Sequence, residues 1–277
     1  MTTAANDNTG TPKAAGAGTP AQDARAAGGV AGELAGRTAL VTGATSGIGR
    51  TAALALARLG ARVVVSGRDA TRGKQVVADI EQSGGTGYFA AADLRDEESA
   101  RALARSATAL AGPVDILVNN AGVFPFGPTE ETSEETFDGV YATNVKVPYF
   151  LVAELAPAMA ERGSGAIVNV TTMVAEYGAA GMGLYGSSKA ALKLLTKAWA
   201  AEYGPRGVRV NAVSPGPTRT EGTAGMGEAL DALAQGGPAG RPGGPEEIAE
   251  AIVFLASPRA SFVHGALLPV DGGRVAV

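Results

Sequence analysis

From Arg37 onward, apolar runs of strand length alternate with longer stretches of helical period, and this alternation restricts the fold more than any other feature of the chain. Thr38–Thr42, Arg62–Ser66, Gly87–Ala92, Val114–Val118, Gly165–Thr171, Val208–Val213 and Ala266–Val270 read as strands, short and mostly apolar. Helices are predicted between them at Ile48–Leu59, Ala70–Gln82, 96–110, 133–161, 184–203 and Glu246–Leu255. Apolar strands separated by helices demand a parallel sheet covered on both faces. Right-handed crossovers make that sheet doubly wound, and its ligands bind beyond the carboxyl ends of the strands. The predicted fold is α/β: about seven parallel strands with helices on both faces, in one domain over residues 36–277.

Composition removes several chemistries. The chain has no cysteine, which excludes disulfides, thiolate nucleophiles and Cys-ligated zinc. One histidine, His264, excludes a multi-histidine metal site and argues against a Ser-His-Asp hydrolase, so no metal is expected. His264 itself reads as structural. A net charge of −4 offers no general basic face for nucleic acid. No apolar run reaches the ~20 residues of a membrane span. Residues 1–35 are small and polar, without the basic start and apolar middle of a secretory signal, and are expected to form a disordered tail. The expected setting is cytoplasmic.

The turn after the first strand reads Thr42-Gly-Ala-Thr-Ser-Gly-Ile-Gly49. Gly43, Gly47 and Gly49 let the backbone turn tightly and approach a pyrophosphate, and the helix that follows offers free N–H groups and a positive dipole end. Thr45, Ser46 and Ile48 lie in the same turn. After the second strand comes Ser66-Gly-Arg-Asp69. A ribose 2′-hydroxyl calls for an acid at this place and a 2′-phosphate for a cation. Arg68 is the first charge, so NADP(H) is preferred over NAD(H), while Asp69 caps the next helix or pairs with Arg68.

Tyr185 and Lys189 are four residues apart in Tyr-Gly-Ser-Ser-Lys, on one helical face with Cβ atoms ~5–6 Å apart. A phenol titrates near ~10, and an ammonium ~5 Å away at an effective dielectric of ~20 interacts with it by about 3 kcal/mol. The expectation is a Tyr185 pKa lowered by at most roughly two units, fit to exchange a proton with a carbonyl or alcohol. Asn144 adds a local signal. Pro148, four residues on, has no N–H for the Asn144 carbonyl, so a kink and a water-satisfied carbonyl are expected there.

Taken in order, TGATSGIG, Asn119-Asn-Ala-Gly122, Thr171-Thr172, YGSSK, SPGPTRT and VDGG resemble the short-chain dehydrogenase/reductase family from about Arg37 to Gly273. The resemblance implies a Rossmann-type fold and residue roles. Tyr185 would be the general acid/base, and Lys189 would hold the nicotinamide ribose and depress the Tyr185 pKa. Asn144 would anchor a relay water. Thr172 would orient the substrate oxygen, in place of the family's usual Ser. Asp93 and Leu94 would meet the adenine side, and Asn120, Ala121 and Gly122 would line the cofactor cleft. Pro215, Gly216, Thr218 and Thr220 would meet the nicotinamide end. It also implies a homotetramer built through the two long helices.

The stretch 221–244 reads as a mobile lid over the substrate, with Met226, Leu230 and Leu233 in a short helix. Phe124, Phe126, Tyr177 and Met182 are candidates for an apolar pocket, and Trp199 for core or interface packing. Arg162 and Arg206 read as solvated, with an acidic carrier protein as the alternative. The expected activity is NADP(H)-preferring interconversion of a ketone and a secondary alcohol. The alternatives are an NAD-dependent sugar or steroid alcohol dehydrogenase and, from another class, a cofactor-binding regulatory protein with a vestigial site.

Overall fold

In the computed structural model, Met1–Thr2 and residues 32–277 are described. Most of the expected tail therefore lies outside the described residues. Its last part does not behave as a tail. Leu34 is buried, its N–H donates to the Leu59 carbonyl at 2.8 Å, and Glu33 pairs with Arg259 at 3.1 Å. One large apolar side chain is enough to tie residues 32–36 to the domain, so the domain begins a few residues earlier than its composition suggests.

Seven strands form one parallel sheet in the order β3-β2-β1-β4-β5-β6-β7. They are β1 (Thr38–Val41), β2 (Arg62–Gly67), β3 (Thr86–Ala91), β4 (Ile116–Asn119), β5 (Gly165–Val170), β6 (Val208–Pro215) and β7 (Leu267–Val270). The helices are α1 (Gly47–Arg58), α2 (Ala70–Gln82), α3 (Glu97–Ala111), α4 (Glu134–Tyr141), α5 (Val147–Glu161), α6 (Gly183–Tyr203), α7 (Glu228–Ala234) and α8 (Pro245–Ala256).

Successive strand residues feed two separate cores, which explains the unbroken apolar runs. Ala39 and Val41, Val63 and Val65, and Ile116 and Val118 face one core with α1, α2 and α8. Leu40, Val64 and Leu117, the residues between them, face the other with α3, α5 and α6. Trp199 packs in this second core, 6.0 Å from Tyr149 between ring centres. The order in which the strands are added reverses between β1 and β4, and the crevice at that switch point is where such sheets take ligands.

The stretch expected as one helix over 133–161 is interrupted. A π-helical turn, Ala142–Lys146, separates α4 from α5, and the Val147 N–H reaches the Ala142 carbonyl, five residues back. Pro148 lies just beyond and cannot donate to Asn144, so an extra residue is accommodated where the regular ladder fails. The expected lid carries a short turn, Ala224–Met226, and α7, and its base is held by Thr218 bridging to Gly243. No helix among the described residues is long and apolar enough to cross a membrane.

Candidate active site

A cleft of about 530 Å³ opens along the carboxyl ends of β1 to β6. Gly43, Thr45, Ser46, Gly47 and Ile48 of the first turn line it, with Arg68, Asp93, Leu94, Asn120, Ala121, Gly122, Thr172, Tyr185, Lys189, Pro215, Gly216, Thr218 and Thr220. Residues as far apart in sequence as Gly43 and Leu233 thus border one space.

The glycine turn is shaped by its neighbours. Gly43 and Gly47 have φ of +61° and +53°, which only glycine adopts without strain. Asn120 fixes the turn from beneath: its Nδ2 donates to the carbonyls of Thr42 and Gly43 at 2.9 and 3.0 Å. The Thr42 hydroxyl accepts from the N–H groups of Asn120 and Ala121, each at 3.0 Å. Gly49 does not line the cleft. A Cβ there would collide with the Asn120 amide and the Gly43 carbonyl, so its role is to let α1 approach the turn.

At the end of β2 the charges sort themselves. Asp69 caps α2, accepting from the Arg72 N–H at 3.0 Å, and its other oxygen holds Arg72 Nε at 2.6 Å. Both contacts keep its carboxyl below the usual range. Arg68 is exposed and makes no ion pair among the described residues. Arg72 and Arg95 also line the cleft, and the sequence reading missed them. Arg72 could have been found as the i+3 partner of Asp69 on the first turn of α2. Asp93 pairs with Arg95 at 3.1 Å.

Tyr185, Thr172 and Lys189 meet at the other end of the cleft. Tyr185 and Lys189 come from the first two turns of α6, and Thr172 from the loop after β5. Burial pushes the Tyr185 phenol up to about 12, and a hydrogen bond with Thr172 pulls the other way. Burial likewise lowers Lys189 to about 8. The predicted depression of Tyr185 by Lys189 is therefore not present. Loss of hydration is the largest influence on the phenol, and the Lys189 Nζ is engaged elsewhere, donating to the Val170 carbonyl at 2.9 Å. Gly122 leaves room for this ammonium, because a Cβ there would stand 3.2 Å from Nζ and 3.1 Å from Asn144 Oδ1.

Asn144 is fully buried and does not line the cleft. Its Oδ1 accepts from the Val123 N–H at 2.9 Å, and its Nδ2 donates to the Val123 carbonyl at 2.9 Å and to Ser188 Oγ at 3.0 Å. The side chain therefore ties the strand β4 loop to α6, one residue before Lys189. Of the candidate pocket residues, Phe124 and Met182 line the cleft, with the Phe124 and Tyr185 ring centres 6.1 Å apart. Phe126 is turned into a second hollow, beside Phe137 and Leu184. Tyr177 stacks under the Arg274 guanidinium at 5.1 Å. Neither borders the cleft, because the loop carrying Tyr177 leaves it at Met173 and returns only at Met182. Met173, Met226, Leu230 and Leu233 complete the apolar side. Arg162 donates to the Val114 carbonyl at 2.8 Å and Arg206 lies over Tyr203 at 4.9 Å, so both are held by the fold. His264 is exposed and remote from the cleft.

The chain is similar to known proteins over most of its length. The profile of a family described as "Enoyl-(Acyl carrier protein) reductase" matches residues 43–274. Gluconate 5-dehydrogenase of Gluconobacter oxydans (strain 621H) is 40% identical over 243 residues, 87% of this chain and 95% of its own. The 7alpha-hydroxysteroid dehydrogenase of Escherichia coli (strain K12) is 38% identical over 244 residues, with 87% and 95% covered. A solved structure described as a short chain dehydrogenase/reductase family protein is 51% identical, covers 88% of this chain and 100% of its own, and has a TM-score of 0.81. Another, from Beutenbergia cavernae with NADP bound at low occupancy, is 42% identical, covers 88% and 98%, and has a TM-score of 0.83.

Proposed function

Because the chain belongs to the short-chain dehydrogenase/reductase family, and so is an oxidoreductase acting on alcohol or ketone substrates, we propose that it interconverts a ketone and a secondary alcohol with NADP(H) preferred over NAD(H). The convergence of Tyr185, Thr172 and Lys189 at one end of a cleft whose other end is a glycine turn carries this reading. The cleft suits a dinucleotide. A Cβ at Gly43 would stand 2.9 Å from Ala121, so glycine lets the turn pack against the loop after β4, and the Gly47 N–H already holds a carboxylate oxygen at 2.9 Å. When bound, the cofactor supplies or accepts the hydride.

The chain's own residues do the rest. The glycine turn binds the pyrophosphate, and Lys189 holds the nicotinamide ribose. Thr172 donates a hydrogen bond to the substrate oxygen and orients it. Tyr185 keeps its proton through neutral pH, being raised to about 12, and gives it to the carbonyl oxygen in reduction. The reverse reaction asks Tyr185 to accept a proton, and the hydrogen bond with Thr172, which pulls the phenol down, favours the phenolate that this needs. Asn144 acts through position: its side chain fixes the Val123 segment and Ser188, while its carbonyl, which Pro148 cannot serve, anchors a relay water.

Cofactor preference rests on Arg68, free because Asp69 is engaged by Arg72 and the α2 terminus. Arg72, which lines the same end of the cleft while paired with Asp69, would be the second cation available to a 2′-phosphate. The apolar side of the cleft, Phe124, Met173, Met182 and Met226, favours a hydrophobic ketone or ring alcohol. Relatives named for cyclopentanol and cis-4-hydroxycyclohexanecarboxylate, at 37% and 41% identity, support secondary alcohols of the ring type. The reading extends to a cytoplasmic homotetramer, with Phe137, Tyr149 and Leu194 exposed on α4, α5 and α6 as its apolar contacts. Following NADPH and NADH absorbance in parallel, on a panel of ring ketones and β-ketoesters, tests the proposal. NADPH should be the better cofactor, and Arg68→Asp should lower the NADPH-to-NADH ratio of kcat/KM by about tenfold or more. Equal use of both cofactors by the parent enzyme would overturn the assignment of Arg68.

A further inference from the structure

Glu221 is the first residue of the lid, and its Oε2 accepts a hydrogen bond from the Gly47 N–H at 2.9 Å. Gly47 opens α1, and α1 is otherwise uncapped: the Ser46 side chain makes no capping bond and the first turn has no acid. A carboxylate from 174 residues away therefore fills the capping place. The lid presents it firmly. Thr223 Oγ1 donates to the Thr218 carbonyl at 2.7 Å and accepts from the Thr220 N–H at 3.0 Å, and Arg219 pairs with Asp231 of α7. The Thr220 side chain lies 3.3 Å from where a Gly47 Cβ would be, so the lid rests on the turn itself.

The Glu221 carboxylate on the Gly47 amide and a dinucleotide pyrophosphate on the same turn exclude each other, by space and by like charge. We propose that Glu221 is a gating residue: it closes the lid onto the phosphate-binding turn when no cofactor is present, and the incoming pyrophosphate displaces it. Cofactor binding thereby releases the lid, and α7 with it, from its resting contact. This inference rests on the cofactor reading above.

Removing the carboxylate should tighten cofactor binding, whereas damage to the site would weaken it. Titration calorimetry with NADPH and with NADH on the parent protein, Glu221→Gln and Glu221→Ala tests this directly. Glu221→Ala should bind both about three- to tenfold more tightly, the range of a helix-terminus charge contact, and Glu221→Gln should fall between. The factor should be the same for the two cofactors, because the pyrophosphate is common to them. Without cofactor, the Gly47 amide proton resonance should shift in Glu221→Ala and lie close to its parent position in Glu221→Gln. Unchanged or weaker binding by Glu221→Ala, with the parent binding normally, overturns the gate alone. A parent protein that binds neither dinucleotide overturns the cofactor reading and the gate together.

Discussion

Lys189 is a charged group in a place that disfavours charge, and replacing it should stabilise the fold. The side chain is 3% exposed, and burial lowers its pKa from 10.5 to about 8. At ~1.36 kcal/mol per unit, keeping it protonated at pH 7 costs the folded state about 3 kcal/mol. Lys189→Met removes the charge and keeps an unbranched apolar stem. It also removes the 2.9 Å bond to the Val170 carbonyl, a loss of about 1–2 kcal/mol. The net expectation is a gain of about 1–2 kcal/mol at pH 7, or roughly 2–6 °C in Tm for a domain of this size.

The sign of the pH dependence is fixed. Folded Lys189 loses its proton near pH 8, while the unfolded chain holds it to 10.5. Between those values the unfolded state binds more protons, so the parent protein gains stability as pH rises. The advantage of Lys189→Met should shrink by about 2 kcal/mol between pH 7 and 9.5. Tyr185 does not interfere in that window. Its folded value of about 12 lies above its unfolded 10, so its contribution is lost only above pH 10. Scanning calorimetry of both proteins across the window reads the difference, with other titrations common to the pair. A variant less stable than the parent at pH 7, or a difference that does not change with pH, would refute the reasoning.

Other sites give sharp expectations. Thr172→Ala should lower kcat at least about tenfold while Thr172→Ser retains it, since on the proposed function the hydroxyl is the part that meets the substrate oxygen; steady-state kinetics read both. Pro148→Ala restores an N–H to the Asn144 carbonyl and should lower kcat more than it changes KM, an outcome visible in the same assays. Gly207→Ala should lower the Tm by several degrees, because φ there is +81° and a Cβ would press on the Gly163 carbonyl; thermal melts read it.

The fold was legible because the inner strands are buried on two faces, so runs such as Val63-Val64-Val65 point to a covered parallel sheet. The cleft was legible because its parts lie at strand ends, which the alternation locates. What sequence periodicity could not supply were contacts made by single atoms across the fold. The bond between Glu221 and Gly47 spans 174 residues and leaves no pattern. The side-chain role of Asn144 depends on where Val123 passes, and the π-helical turn on a register shift that apolar spacing does not record. The Tyr185 pKa was misjudged because spacing gives the distance of a charge but not the depth of burial, and burial was the larger effect.

On the proposed function, one cleft joins a dinucleotide site to a phenolic proton donor. Measuring NADPH affinity and ketone turnover side by side for the parent and Tyr185→Phe tests it most directly. The account predicts affinity within about threefold of the parent and turnover lower by about 100-fold or more, the usual worth of a positioned general acid. Turnover that survives in Tyr185→Phe with binding intact would contradict it, and would move the proton donor to another residue of the cleft.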